Sequence, residues 1–279
     1  SVRTVKYLIL DEADCMLNEG LNSQIRAITT DVEYTNRQTM LFSATFADEV
    51  SDLATWILRR PVEVRVGMRD PLRANPDVDQ RIEIVKDDLD KEGALKTLLR
   101  RHYGAAARDP GKVLIFTIDP DTCDTLSKKL RNTLMGVNIE TLHSNRKQDE
   151  REKAVASFRL GTAPVLISTS IAGRGLDIQD IKLVVNFDPP ENSDDYVHRI
   201  GRTARAGRKG TALTLLRKGP DGRAMAYIAQ VMRRTGKMVP PELVYALKQR
   251  RGRDMEFAQQ LLEGLCKFEA IDRMVNVIG

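Results

Sequence analysis

The sequence predicts an α/β protein made of two units of parallel sheet wrapped by helices, a partial unit first and a complete one after it. Three observations carry that expectation. Short apolar runs such as Val5-Lys-Tyr-Leu-Ile-Leu10 and Val113-Leu-Ile-Phe116 have the near-continuous hydrophobicity of strands buried on both faces. Longer stretches with apolar residues on one helical face lie between them, and alternation of strand and helix means a parallel sheet. Residues 67–79 hold one Gly and two Pro and show no apolar period, which is the composition of a linker.

In the first unit, strands are expected at 5–10, 38–42 and 62–66. A helical pattern runs through about residue 28. A second helix covers roughly 48–58 and puts Val50, Leu53, Ala54 and Ile57 on one face. Three strands with their helices look like the second half of a larger sheet. In the second unit, strand-like runs occupy 81–85, 113–116, 139–142, 165–168, 183–186 and 211–215. Helical patterns occupy 91–103, 120–134, 148–159 and 221 to about 235. The domain limits that follow are 1–66, a linker 67–79, 80–240, and a tail 241–279 that reads as helical. The tail carries a basic patch and then an apolar stripe of Met255, Ala258, Leu262, Leu265 and Phe268.

Composition narrows the class. Of 279 residues, 42% are hydrophobic and 30% charged, as in a soluble globular protein. The net charge of +5 leans towards an anionic partner, but 44 basic residues against 39 acidic ones make that lean slight. Cys15, Cys123 and Cys266 match no zinc spacing and, being odd in number, no disulfide framework, so a reducing intracellular compartment is expected. No apolar run is long enough for a membrane helix. Ser1-Val-Arg-Thr4 is not a signal peptide, and the chain is expected to be truncated at this end.

Chemistry-bearing residues gather at strand ends. Asp11-Glu-Ala-Asp14 follows the first strand, where ligands bind in open α/β sheets. Two readings stand there. The acids form a Walker B element, with one carboxylate on Mg²⁺ and its neighbour orienting water, or they simply favour a helix N-terminus. Ser43-Ala-Thr45 ends the next strand. His143-Ser-Asn-Arg146 leads into a helix opened by Gln148-Asp-Glu-Arg151, a place where phosphate meets free backbone N–H groups, or else a plain helix start. Thr169-Ser-Ile-Ala-Gly-Arg-Gly-Leu-Asp177 follows another strand; its glycines permit close backbone approach, and Asp177 can accept from a ribose hydroxyl. Finally, Tyr196-Val-His-Arg-Ile-Gly-Arg-Thr-Ala-Arg205 spaces Arg199, Arg202 and Arg205 three apart, so that a helical turn would set them on one phosphate-facing side.

The order of these motifs across a linker resembles the DEAD-box family of ATP-dependent RNA helicases, from residue 1 to about residue 245. The resemblance implies a partial RecA-like domain followed by a complete RecA-like helicase C-terminal domain, with ATP and RNA bound between them. It implies that Asp11 binds Mg²⁺ and that Glu12 is the general base. It makes Arg202 and Arg205 arginine fingers on the γ-phosphate, and places Gly175 and Asp177 at the nucleotide, Asp177 on its ribose. Asp14, Ser43, Thr45 and His198 would couple the ATP site to closure. Arg146, Gln148, Arg151, Thr169 and Gly173 would follow the RNA backbone, and Phe116 would support them from the end of its strand. Protein cofactors would be a further class of partner, and the compartment nucleus or cytoplasm. Where the family usually has Gly, this chain has Ala204; where it has Gly-Asp, Ser144-Asn145; Ser170 and Gly173 stand where Asp and Ala are frequent, Ser170 as in Vasa-like members.

No Gly-x-x-x-x-Gly-Lys-Thr occurs, and Gly111-Lys112 and Gly236-Lys237 lack both the earlier Gly and the following hydroxyl. The expectation is therefore a part of an ATP-dependent RNA helicase, with little ATPase activity of its own. The alternatives are a non-catalytic module that binds RNA or protein, and a DNA helicase of the same superfamily.

Overall fold

In the computed structural model, residues 5–18, 20–31, 37–65, 74–104, 110–170, 178, 180–205 and 207–248 are described. The chain divides after Pro71 into two compact units.

The first unit pairs two parallel strands, β1 (Tyr7–Leu10) and β2 (Gln38–Leu41), in register Tyr7 with Gln38 through Leu10 with Leu41. The helical stretch after β1 is two helices, α1 (Ala13–Asn18) and α2 (Asn22–Asp31), broken at Gly20, which adopts a φ of 73°. Helix α3 (Asp48–Ile57) buries the predicted face of Val50, Leu53, Ala54 and Ile57. Leu53 and Ile57 pack with Ile25 into a small core. The strand expected at 62–66 is not formed over 62–65, and residue 66 lies outside the described residues. Val62 and Val64 are 88% and 75% exposed, and among the described residues no strand pairs with this alternating Val pattern.

The second unit is one six-stranded parallel sheet. Its strands are β3 (Val78–Val85), β4 (Lys112–Thr117), β5 (Ile139–Leu142), β6 (Val165–Thr169), β7 (Ile181–Asn186) and β8 (Gly210–Arg217), in the order β3-β8-β7-β4-β6-β5. Strand β3 starts inside the predicted linker, because Val78 pairs with Gly210 and is fully buried. The helices are α4 (Asp88–His102), α5 (Pro120–Arg131), α6 (Gln148–Leu160), α7 (Ser193–Ile200), α8 (Gly222–Arg234) and α9 (Pro241–Lys248). Period-2 alternation divides the sheet between two cores. Val113, Ile115, Val165, Ile167, Leu183 and Val185 pack with Leu95, Leu99 and Leu126 of α4 and α5. Leu114, Phe116, Leu166 and Val184 pack with Phe158, Tyr196 and Ile228 of α6, α7 and α8 on the other face. Helix α9 adds Leu243, Ala246 and Leu247 to the second of these cores, so the unit reaches past residue 240. Residues 249–279, which include the basic patch and apolar stripe, lie outside the described residues.

Two ion pairs are closed inside this unit. Lys91, with no exposed surface, holds Asp188 at 3.1 Å across α4 and the end of β7. Arg199, 4% exposed, holds Asp195 at 2.9 Å along α7.

Candidate functional site

In the first unit the chain leaves β1 at Asp11, turns at Glu12, and enters α1. Glu12 has a φ of 51°, a left-handed backbone that a non-glycine residue adopts only when its surroundings fix it. The fixing groups are visible. Phe42 N donates to Leu10 O at 2.7 Å and Ala13 N donates to Phe42 O at 3.0 Å, so the ends of β1 and β2 clasp the turn. Asp11 is exposed, and its Oδ1 accepts from Glu12 N at 2.9 Å. Asp14 points the other way. Its Oδ2 accepts from Thr45 N at 3.0 Å and from Thr45 Oγ1 at 2.9 Å, and its Oδ1 accepts from Cys15 N at 3.0 Å. Asp14 N donates to Ser43 Oγ at 3.2 Å, and Ser43 Oγ donates to Thr45 O at 2.7 Å. The two motifs nearest the N-terminus are thus one hydrogen-bonded cluster around the buried Asp14, while the Asp11 carboxylate is left at the surface. Among the described residues, no three His, Cys, Asp or Glu side chains gather as a metal site.

Replacing Asp14 by Ala strands the donors of Thr45 and Cys15. The expected cost is about 1–2 kcal/mol, short of the full penalty for unpaired donors because Thr45 is only half-buried. Trp56, the single tryptophan, lies in the first unit under the Arg26 guanidinium at 4.6 Å, so a urea titration followed by its fluorescence reads that loss.

In the second unit, the arginine motif does not form one face. Helix α7 ends at Ile200, and Gly201 N donates back to Val197 O at 2.9 Å. Arg199, on the helix, turns inward. Its Nη2 bonds Asp195, its Nη1 donates to Asp188 O at 2.9 Å, and its guanidinium lies over the Phe116 ring at 5.2 Å. Burial pulls its basicity below the usual value, against the pull of the Asp195 carboxylate. Arg199 is a structural cation and not part of a phosphate-facing row. Arg202 and Arg205 follow the helix in a tight turn: Arg202 Nε donates to His198 O at 3.3 Å, and Arg205 Nε to Gly201 O at 3.0 Å. The turn is braced by Thr203 Oγ1 donating to Ile181 O and by Asn75 Nδ2 donating to Ala204 O at 2.8 Å. Ala204, where the resemblance leads one to expect Gly, has a φ of 56°. Gly210, which opens β8, lies so close beneath that a Cβ there would fall 1.9 Å from Thr203 Oγ1 and 2.7 Å from Ala204 N.

Arg202 and Arg205 line a cleft of about 710 Å³, together with Lys182, Lys209 and Lys237 and with Asp77 and Asp180. The cleft lies at the amino ends of β3, β7 and β8, since Asp77, Ile181 and Gly210 border it. Sequence reasoning missed Pro76, Asp77, Asp180, Lys182 and Lys237 as parts of its wall. Asn75-Pro-Asp77 has the composition of a linker, and Lys237 stands in a Gly-Lys pair that lacks the other residues of a phosphate loop.

The residues assigned to RNA stand at the other end of the same sheet. Thr169 closes β6, and Arg146, Gln148 and Arg151 follow the carboxyl end of β5 into α6. Arg151 bonds Gln148, and Gln148 Nε2 donates to Glu152 Oε1 at 2.8 Å. Arg146 is engaged internally: its Nη2 donates to Asp124 Oδ1 and Thr141 Oγ1, each at 2.9 Å. Burial works to raise Asp124, but the bonds from Arg146 and from His143 outweigh it and hold the carboxyl below its ordinary range. Gly173, Gly175 and Asp177 lie outside the described residues.

The fold and these clusters define a helicase core of the RecA-like type. The family model described as DEAD/DEAH box helicase matches residues 1–53, and that described as Helicase conserved C-terminal domain matches residues 90–207. The chain is 40% identical over 240 residues to the ATP-dependent RNA helicase DBP3 of Eremothecium gossypii, covering 86% of this chain and 44% of that protein. It is 40% identical over 243 residues to DEAD-box ATP-dependent RNA helicase 30 of Arabidopsis thaliana, covering 87% of this chain and 39% of that one. Among solved structures it resembles S. cerevisiae Dbp5 bound to RNA and ADP BeF3, with a TM-score of 0.70 and 29% identity over 85% of this chain and 59% of that one. The DEAD-box helicase Mss116 bound to ssRNA and UDP-BeF shares the fold, with a TM-score of 0.74 and 24% identity over 90% of this chain and 53% of that one. The chain belongs to the DEAD-box RNA helicase family. It spans less than half the length of the curated relatives it matches.

Proposed function

We propose that this chain is part of an ATP-dependent RNA helicase. Its first unit would supply the metal-holding and water-activating carboxylates, and its second the arginine fingers and half of an RNA track. The separation of the basic cleft from the β5–β6 carboxyl end supports this most directly. One sheet offers two distinct anion-facing places, one for a nucleotide and one for a strand.

Asp11 would hold Mg²⁺ together with the phosphates, and the ion would neutralise their charge. Glu12, fixed in its left-handed turn, would accept a proton from the attacking water. Arg202 and Arg205 would meet the charge that spreads over the γ-phosphate; arginine fingers contribute on the order of a thousandfold or more in related hydrolases. Gly175 and Asp177 would face the nucleotide, and Asp177 its ribose. The Asp14–Ser43–Thr45 cluster and His198 would register that the nucleotide is in place. Arg146, Gln148, Arg151, Thr169 and Gly173 would contact the RNA backbone, so binding would be largely blind to sequence. Arg146 would exchange its Asp124 partner for phosphate. The setting would be intracellular, in nucleus or cytoplasm, with protein cofactors as further partners. Among the described residues no helix is long and apolar enough to cross a membrane.

Two measurements on the 279-residue chain test this reading. It binds a short oligouridylate with an affinity that falls steeply as salt rises, and Arg151→Ala weakens that binding. It releases phosphate from ATP no faster than buffer, because its sequence contains no phosphate-cradling Gly-Lys-Thr loop. Failure to bind RNA, or turnover at rates typical of ATPases, defeats the respective half.

A further inference from the structure

Arg146 is turned away from the residues with which the resemblance groups it. Gln148 and Arg151 open α6, which packs on the sheet face that holds Phe158 and Tyr196. Arg146 stands in the loop between β5 and α6 and reaches to α5, which packs on the opposite face through Cys123, Leu126 and Leu130. The hub of this contact is one oxygen, Asp124 Oδ1. It accepts from Arg146 Nη2 at 2.9 Å and from Thr141 Oγ1 at 3.4 Å, and it lies 3.3 Å from His143 Nε2. Arg146 Nη2 also donates to Thr141 Oγ1 at 2.9 Å, and its Nε lies 3.4 Å from His143 Nε2. Thr141 and His143 are buried, so the hub has a fixed floor. Its outer side is open: the Arg146 and Asp124 side chains are 37% and 41% exposed.

We infer that Asp124 is a positioning residue that withholds Arg146 from RNA phosphate, and so sets how tightly the β5–α6 end holds a strand. The inference rests on the reading that RNA meets this end. A guanidinium pairs with carboxylate and with phosphate through the same donors, so the two anions compete for Arg146. A half-exposed ion pair is weak enough for phosphate to displace. The enclosed pair of Arg199 and Asp195 is the contrast, since parting it would strand a buried charge. When Arg146 leaves, Asp124 keeps the Thr141 hydroxyl and meets water, so its charge is not stranded.

The test is binding of a short oligouridylate to the full chain and its variants at several salt concentrations. Asp124→Asn keeps an oxygen for Thr141 and His143 but removes the charge that holds Arg146. It binds about threefold more tightly than the parent, the middle of the range for a half-exposed ion pair. Its affinity also falls more steeply with salt, because the strand gains a phosphate contact without freeing a carboxylate in exchange. Asp124→Glu restores the charge and the parent affinity. In the Arg146→Gln background, Asp124→Asn gains no more than Asp121→Asn, which removes an exposed charge one turn earlier on α5. Weaker binding by Asp124→Asn overturns the inference, because Asp124 would then prepare Arg146 for phosphate. An equal gain with and without Arg146 overturns it as well, since that is a general effect of charge. If the parent binds RNA and Asp124→Asn changes nothing, this inference alone falls; if the parent does not bind RNA, the functional reading beneath it falls too.

Discussion

Replacing Arg199 by alanine lowers the stability of the second unit by about 4 kcal/mol, within the range for breaking one partner out of a buried ion pair. Asp195 would remain 5% exposed with its counter-charge gone, and Asp188 O and the Phe116 ring would lose the guanidinium as well. Such a loss is a large part of a typical domain's margin. The two units can be followed separately in one urea titration. The single tryptophan, Trp56, reports the first unit, and the far-ultraviolet dichroism is dominated by the strands and helices of the second. The dichroism transition moves to lower urea while the fluorescence transition stays. Arg199→Lys recovers only part of the loss, since an ammonium cannot serve Asp195 and Asp188 O with two prongs of one fork. If Arg199 were a phosphate ligand at the surface, alanine would leave the dichroism midpoint unchanged and change only binding.

The second large effect is expected at Gly210. Alanine there drives a methyl group into Thr203 Oγ1 and the Ala204 backbone, and neither is the loose end of a long side chain. The turn that carries Arg202 and Arg205 must then lift, or β8 must slip from its pairing with β3. The expected loss is about 3 kcal/mol, the upper end for inserting bulk into a packed site. Gly207 is the control. It has a φ of 74° and open space where its Cβ would stand, so alanine there costs only the left-handed backbone, about 1–2 kcal/mol. Equal midpoints for the two variants in the same titration would show that the close approach at Gly210 relaxes freely.

Strands buried on both faces were legible nearly residue by residue. Val113–Phe116 and Val165–Ile167 match the apolar runs because a parallel sheet covered by helices buries both faces of its inner strands. The segment at 62–66 shows the limit. Val62-Glu-Val-Arg-Val66 alternates as a strand should, but alternation describes a side-chain face and says nothing of a ladder partner. The start of β3 was hidden by Asn75-Pro-Asp77, whose turn chemistry is real and is used to brace the Ala204 carbonyl. In the site, motif order put Asp14, Ser43 and Thr45 in one group, but not the hydrogen bonds that join them, since nothing local marks contacts 29 and 31 residues apart. The inward turn of Arg199 did not, because a spacing of three assumes a helix that continues, and α7 stops at Ile200. Lys91 with Asp188 could not be read at all, since nothing local marks a pair 97 residues apart.

The placement of the cysteines has a practical consequence. Cys15 is 6% exposed in the first unit, and Cys123 is fully enclosed in the second, where burial pushes its thiol up to about 11. Alkylating reagents attack thiolates that they can reach. Each of these sulfurs therefore reacts only when its own unit opens. Timed labelling, read by mass on peptides that separate these two sulfurs from Cys266, turns the pair into two clocks of local opening, one per unit, without a single substitution in the chain.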